Sequence, residues 1–271
     1  MAPKTWQPNP RTRQRHSKRP VAGRTRFRPP AQAADGPAVL YGWHTVKAAL
    51  ENPARRIRRL LATENALRRL GEDGVALPVE PELVRPSVID ARLGPDAVHQ
   101  GLLAEADPLP APSVSELAPE GIVLVLDQIT DPHNVGAILR SAAAFAVNAI
   151  VTTARHSPEA TGVLAKSASG ALEMVPLVTV QNLARGMEDL RQRGFLLVGL
   201  DGSGDSDFAD LALRAPLALV LGAEGKGLRQ LTKATCDYVA RIDLPGEIKS
   251  LNVSNAAALS LYVASRRLLS G

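Results

Sequence analysis

From Gly121 onward the chain alternates short, nearly unbroken apolar runs with longer stretches of helical period, and no other feature narrows its possible folds so far. Phe195-Leu-Leu-Val-Gly-Leu200 and Pro216-Leu-Ala-Leu-Val-Leu-Gly222 are typical of the runs. A strand with one wet face alternates polar and apolar residues, so a run that is apolar throughout must be covered on both faces. Strands of that kind separated by helical stretches predict an α/β domain with a parallel sheet. The expected order is strand 121–127, helix 132–146, strand 148–153, helix 158–169, strand 174–180 and helix 181–193. Strands 195–200 and 216–222, helix 227–234, strand 238–243 and helix 252–269 follow. Ligands of such sheets bind at the carboxyl ends of the strands. Three polar loops fall there: Asp127–Arg140, Leu221–Leu228 and Arg241–Asn255.

Ahead of this domain the pattern is different. Residues 37–106 form a smaller α/β unit, with helices at 42–50, 64–70 and 84–93 and strands at 57–63 and 100–105. Three prolines within Ala106–Ser113 mark a semi-rigid linker, so the boundaries predicted are a linker at 107–119 and a second domain at 120–271. Residues 1–36 are poor in large apolar side chains and are expected to form a disordered basic tail. Residues 1–34 hold nine of the 32 Lys and Arg and no acid, leaving 23 basic against 27 acidic residues elsewhere. The whole positive excess therefore sits in the tail. Such a tail suits phosphate backbones, and RNA or DNA contact is the expectation; the alternatives are a solubilising tail or a presequence of mitochondrial type.

Composition excludes several classes. No run approaches eighteen apolar residues, and no apolar segment follows the basic start as in a secretory signal, so neither a membrane span nor export is expected. The single cysteine, Cys236, rules out an internal disulfide and fits a reducing, cytoplasmic setting. Five scattered histidines lack ligand spacing, so no protein-bound metal is expected.

The glycine loop Gly222-Ala-Glu-Gly-Lys-Gly-Leu228 follows an apolar strand and precedes a helix. A Walker A loop would need Ser or Thr after the lysine, whereas Lys226 is followed by Gly227. A dinucleotide fingerprint needs its glycines in the order G-x-G-x-x-G after a first strand; here the order is G-x-x-G-x-G, late in the chain. Both phosphate-cradling readings fail on spacing. Glu224, an acid among glycines where backbone could approach a ligand closely, argues against a turn without function.

Taken together, Leu126–Ala142, Leu219–Leu228 and Ile242–Ser254 resemble, in order and spacing, the SPOUT superfamily and specifically its TrmH/SpoU family of RNA ribose 2′-O-methyltransferases. Tyr41–Leu50 and His99-Gln-Gly101 resemble the ribosomal-protein-L30e-like substrate-binding domain of the bacterial 23S rRNA guanosine 2′-O-methyltransferase subgroup. The resemblance implies a deep trefoil knot in the C-terminal domain, which the pattern alone would not suggest because threaded chains are nearly absent from proteins. It also implies a homodimer and S-adenosylmethionine as cofactor, bound mostly by backbone groups, with Gly222, Ile242 and Leu251 at the cofactor-contacting positions. Catalytic positions carried over are Asn134, Arg140, Glu224, Ser250 and Asn252. The RNA implied is 23S rRNA; tRNA is the alternative substrate, and a non-catalytic RNA-binding relative the alternative of another class.

A ribose 2′-hydroxyl titrates several units above neutrality, so ionising it beforehand would cost roughly 7 kcal/mol unless the site stabilises the developing alkoxide. The resemblance implies a proton-accepting role for Arg140. Because a guanidinium stays protonated in proteins, Arg140 is expected instead to donate hydrogen bonds to the 2′-oxygen and its phosphate. Asn134 and Asn252 would orient Arg140, the ribose or the loops, unless each is simply a helix N-cap. Glu224 would fix the guanidinium or backbone amides, and Ser250 would position phosphate or Asn252. Aromatic residues are only 3% of the chain, so RNA contact by shape and phosphate is expected rather than by stacking on an aromatic platform.

Overall fold

The structure is a computed structural model and describes residues 36–94, 96–154 and 162–269. The expected basic tail, apart from Gly36, and the first residues of the helix expected at 158–169 lie outside the described residues.

The first unit runs β1 (Ala38–Tyr41), α1 (Trp43–Glu51), β2 (Ile57–Ala62), α2 (Glu64–Glu72), β3 (Glu82–Leu83), α3 (Pro86–Leu93) and β4 (Leu102–Ala106). Its strands lie in the order β1-β4-β2-β3, with β4 antiparallel to both neighbours and β3 parallel to β2. Thr63 starts α2 by accepting the Ala66 N–H on its hydroxyl, the usual N-cap device.

The second unit runs β5 (Ile122–Asp127), α4 (Pro132–Ala144), β6 (Ala149–Thr153), α5 (Gly162–Ala168), β7 (Leu177–Val180), α6 (Leu183–Gln192) and β8 (Leu196–Leu200). It continues with β9 (Ser206–Asp207), β10 (Leu217–Gly222), α7 (Gln230–Thr235), β11 (Tyr238–Arg241) and α8 (Val253–Leu269). All seven strands are parallel, in the order β7-β6-β5-β10-β8-β11-β9. Alternate residues of the apolar strands serve opposite faces. Leu124, Leu126, Leu219 and Leu221 meet α4 and α8 through Ile138, Leu139, Ala257 and Leu261. Val123, Val125, Ala218 and Val220 meet α6 through Leu183, Met187 and Leu190. A sheet buried on both sides is what unbroken apolar strands require.

From β5 the strand order runs outward in both directions, so the β5–β10 border is the switch point where parallel sheets open a crevice. Register places Gly222 opposite Asp127 there.

Among the elements that differ from expectation, β1 and β3 of the first unit have no expected counterpart. β7 starts at Leu177 rather than 174, because Ala171–Glu173 forms a 3-10 turn first. α7 starts at Gln230 rather than 227, because Gly227 has a positive φ and Arg229 is extended, so neither can belong to a helix. β9 has no apolar run to announce it; two residues pair with β11 at the sheet edge. The proline-rich connection is itself anchored, since Val114 and Leu117 are buried in the α6-side core. A single apolar cluster joins Leu40, Trp43 and Val46 of the first unit to Leu164, Ala165 and Leu172 of the second.

Candidate active site

The loops leaving β8, β10 and β11 enclose a cavity of about 310 Å³, with Gly222, Glu224, Ile242, Ser250 and Leu251 in its wall. All three residues expected to contact a cofactor are thus in one place. The remaining wall is mostly aliphatic side chain, such as Leu221 and Leu244, and glycine backbone, with Asp201, Lys226 and Lys249 as its further charged members. That volume is at the lower end of small-molecule pockets, and a largely aliphatic wall with a few polar groups suits a nucleoside-bearing ligand.

The glycine loop owes its shape to two carboxylates. After β10 it closes on itself: Ala223 pairs with Gly227, and the Gly227 N–H donates to the Ala223 carbonyl at 2.8 Å. Gly227 has φ +64°, and a Cβ there would collide with the Asp201 carboxylate, so both backbone and space demand glycine. The next two amides are claimed in turn. Leu228 N–H donates to Asp201 Oδ2 at 2.9 Å, and Arg229 N–H donates to Asp127 Oδ2 at 3.0 Å. Asp127 is 1% exposed and also accepts Arg229 Nε–H at 2.7 Å. Asp201 accepts the Ser203 N–H and hydroxyl and faces Lys233 Nζ at 2.9 Å. Burial works to raise the Asp201 carboxyl, but the donors around it hold it well below the usual carboxylate range. The loop is therefore stapled to the strands on either side of β10.

Beside the cavity Asn252 gathers the polar cluster. Its Oδ1 accepts the Ser254 N–H at 2.9 Å and the Ser254 hydroxyl at 2.6 Å, which makes it the cap of α8. That fixes the amide orientation, and Nδ2–H then donates to Asn134 Oδ1 at 3.0 Å and Glu224 Oε2 at 3.4 Å. Asn252 is thus both a helix cap and a member of the site. Asn134 is not a cap: Asp131 starts α4 by accepting the His133 N–H, leaving the half-buried Asn134 free for Asn252.

The partners are in part not the expected ones: Glu224 contacts Asn252 rather than a guanidinium or backbone amide, and of the two roles expected of Ser250 the hold on Asn252 is taken by Ser254. Ser250 is exposed at the cavity wall. Arg140 is exposed on α4, is absent from the cavity wall and has no hydrogen bond or ion pair to any described residue. Helical phase explains this: six residues at 3.6 per turn carry Arg140 roughly 120° round the axis from Asn134.

Asp127, Asp201 and Ser254 were not singled out from the sequence. The two aspartates had a legible signal, because each directly ends a wholly apolar strand where an unpaired acid would be costly.

A model of the SpoU rRNA methylase family matches residues 121–262. The chain belongs to the SpoU rRNA methylase family. A second model, described as the substrate-binding unit of RNA 2′-O ribose methyltransferases, matches residues 39–112. Among SpoU relatives, the 23S rRNA (guanosine-2'-O-)-methyltransferase RlmB of Pseudomonas putida is 36% identical over 239 residues, covering 84% of this chain and 96% of that one. The enzyme of the same name from Vibrio cholerae is 39% identical over 246 residues, with the same coverage. In three dimensions the SpoU methyltransferase AviRb from Streptomyces viridochromogenes, solved in complex with AdoMet, matches with a TM-score of 0.74. It is 28% identical, and the match covers 87% of this chain and 92% of that one.

Proposed function

We propose that this protein transfers a methyl group from S-adenosylmethionine to the ribose 2′-oxygen of a guanosine in 23S rRNA. The observation that carries the reading is the union of Asn134, Glu224 and Asn252 at the lip of a cavity that Gly222, Ile242 and Leu251 line. Relatives named for that reaction, alike over most of both chains, support it.

Bound in the cavity, the cofactor supplies a methyl already activated by the positive sulfonium. The chain's own residues then have two tasks. Gly222, Ile242 and Leu251 hold the cofactor through backbone and aliphatic contact, on a loop that Asp127 and Asp201 keep from shifting. Asn134 offers its Nδ2–H to the ribose, and Asn252, anchored by Glu224, positions Asn134. Ser250 offers a hydroxyl at the wall to the RNA phosphate or sugar. Stabilising negative charge on the 2′-oxygen falls to Arg140, acting as hydrogen-bond donor.

Arg140 faces away from this cluster in its own chain, so the reading includes a homodimer through the C-terminal unit in which the Arg140 of one copy serves the other copy's site. Mixing inactive Arg140→Ala with inactive Asn252→Ala protein tests that arrangement: random exchange should restore about a quarter of wild-type activity. No recovery would place Arg140 in its own chain's site. A knotted C-terminal segment belongs to the same reading, supported by α8 returning to rest on α4 and β10. The single cysteine suits a cytoplasmic setting, where rRNA is found.

Mass spectrometry of rRNA from a strain lacking the gene should show one guanosine 2′-O-methyl missing from 23S rRNA. Intact rRNA with a methyl lost from tRNA would overturn the substrate assignment.

A further inference from the structure

The substrate-binding unit is tied to the methyltransferase sheet by more than its linker. Glu173, in the turn after α5, has a side chain only 4% exposed, and Arg55, between α1 and β2, has one 3% exposed. Their contact is forked: Arg55 Nη2–H donates to Glu173 Oε1 at 2.6 Å and Nε–H to Oε2 at 3.0 Å. Asn52 Nδ2–H donates to the same Oε2 at 2.8 Å. The remaining arm of Arg55 donates to the Asp107 carbonyl at 2.8 Å, pinning the start of the linker. First unit, linker and second unit therefore converge on one buried carboxylate.

The surrounding contacts are close-fitting. Thr45 Oγ1–H donates to the Ala165 carbonyl at 3.1 Å inside the interface. A Cβ on Gly162 would lie 2.7 Å from the Tyr41 ring, and one on Gly170 2.9 Å from the Ala48 methyl. Apolar burial between the units holds them together without fixing a direction. A bidentate fork does fix one, because guanidinium and carboxylate must be coplanar and in register. Buried ion pairs add little net stability over apolar residues, but losing one partner is costly. Their use here is orientation.

That orientation connects two surfaces. A cleft of about 490 Å³ on the first unit is lined by Trp43, Asn65, Arg69, His99 and Gln100. Gln100 Oε1 at its edge accepts from the Trp43 N–H and from Lys166 Nζ of α5. The next residue of α5, Ser167, lies 3.2 Å from His133 Nδ1, beside Asn134. Cleft and catalytic cluster are thus separated by packed, hydrogen-bonded structure rather than by a tether.

We propose that Glu173 is a positioning residue for the RNA: by holding Arg55 and Asn52 it makes the spacing between the substrate-binding surface and the methyl-transfer site a property of one rigid body. This rests on the reading of the protein as an rRNA 2′-O-methyltransferase. The test is steady-state methylation of an unmodified 23S rRNA transcript by the full-length Glu173→Gln protein, with cofactor affinity measured by calorimetry. The KM for RNA rises about ten-fold or more, while kcat and the cofactor Kd stay within about two-fold of wild type. Arg55→Lys, which keeps the charge but loses the fork, gives a smaller rise. Should Glu173→Gln fail to fold, Asn52→Ala removes a single bond to the carboxylate, and a rise of about three-fold is expected.

An unmoved RNA KM in these variants overturns the proposal, and so does a parallel loss of cofactor binding, which marks a merely structural role. A wild-type protein that binds cofactor but methylates no rRNA counts against the function itself. An active wild type with unmoved variants counts against the clamp alone.

Discussion

Asn252 does two jobs with the two ends of one amide, and substitutions can separate them. Asn252→Ala loses the cap of α8 and the donor to Asn134 and Glu224, so stability falls by about 1 kcal/mol and kcat by about 100-fold. Asn252→Ser keeps a capping oxygen; thermal denaturation should return close to wild type while methylation stays low. If activity returned with stability, the Nδ2 contacts would be irrelevant. Cys236 gives a residue-scale prediction of another kind. Burial pushes its thiol up to about 12, with the neighbouring Asp237 acting in the same direction. The thiol then stays protonated and unreactive toward alkylating reagents at pH 8 until the protein unfolds. The sign of the linkage follows: the unfolded chain loses this proton near pH 9 and the folded one near 12, so between those values stability falls as pH rises. Stability that stayed flat in the wild type and matched Cys236→Ala over that range would refute the burial argument. Sequence carried Asn252 into the site set but could not tell cap from ligand, because only the distance to Asn134 shows that it is both.

The element that decides the cofactor cavity is the glycine loop, and its rigidity comes from strand ends rather than from the loop. Gly227→Ala must accept a positive φ and push against Asp201, costing about 2 kcal/mol; cofactor affinity measured by calorimetry should drop at least ten-fold, or about 1.4 kcal/mol. Asp201→Asn keeps the shape but loses the charge facing Lys233. Because the folded carboxyl is held low, its contribution is complete above the unfolded value near 3.8 and disappears as pH falls through the folded one. The stability gap between wild type and Asp201→Asn should therefore be full at pH 6 and close in strong acid; a gap independent of pH would mean that charge plays no part. At this scale the alternation of elements was legible, since unbroken apolar runs allow little but a covered parallel sheet. The two-residue strands β3 and β9 were not legible, because pairing with a neighbour, not their own sequence, makes them strands. Nor was the start of α7, where the close approach of Asp201 holds Gly227 in a positive-φ turn and leaves Arg229 extended.

For the whole molecule, charge and architecture are divided between regions. The nine cationic residues of the first 34 outweigh a net acidic remainder, so deleting 1–36 should weaken RNA binding and flatten its salt dependence by several units of slope. An identical slope in the truncated protein would leave the tail without a part in binding. No sequence pattern pairs Arg55 with Glu173, 118 residues apart, and the proline-rich connection predicts only a semi-rigid linker between two domains. The shared core reaching from Leu40 to Leu172 has a consequence for how such enzymes diversify. A substrate-binding unit transplanted into this chain would need to bring the Tyr41 ring and Ala48 methyl that Gly162 and Gly170 make room for, and the guanidinium that Glu173 holds. Exchanging one half of the pair therefore demands matching changes across the seam, whereas changing its outer surface does not.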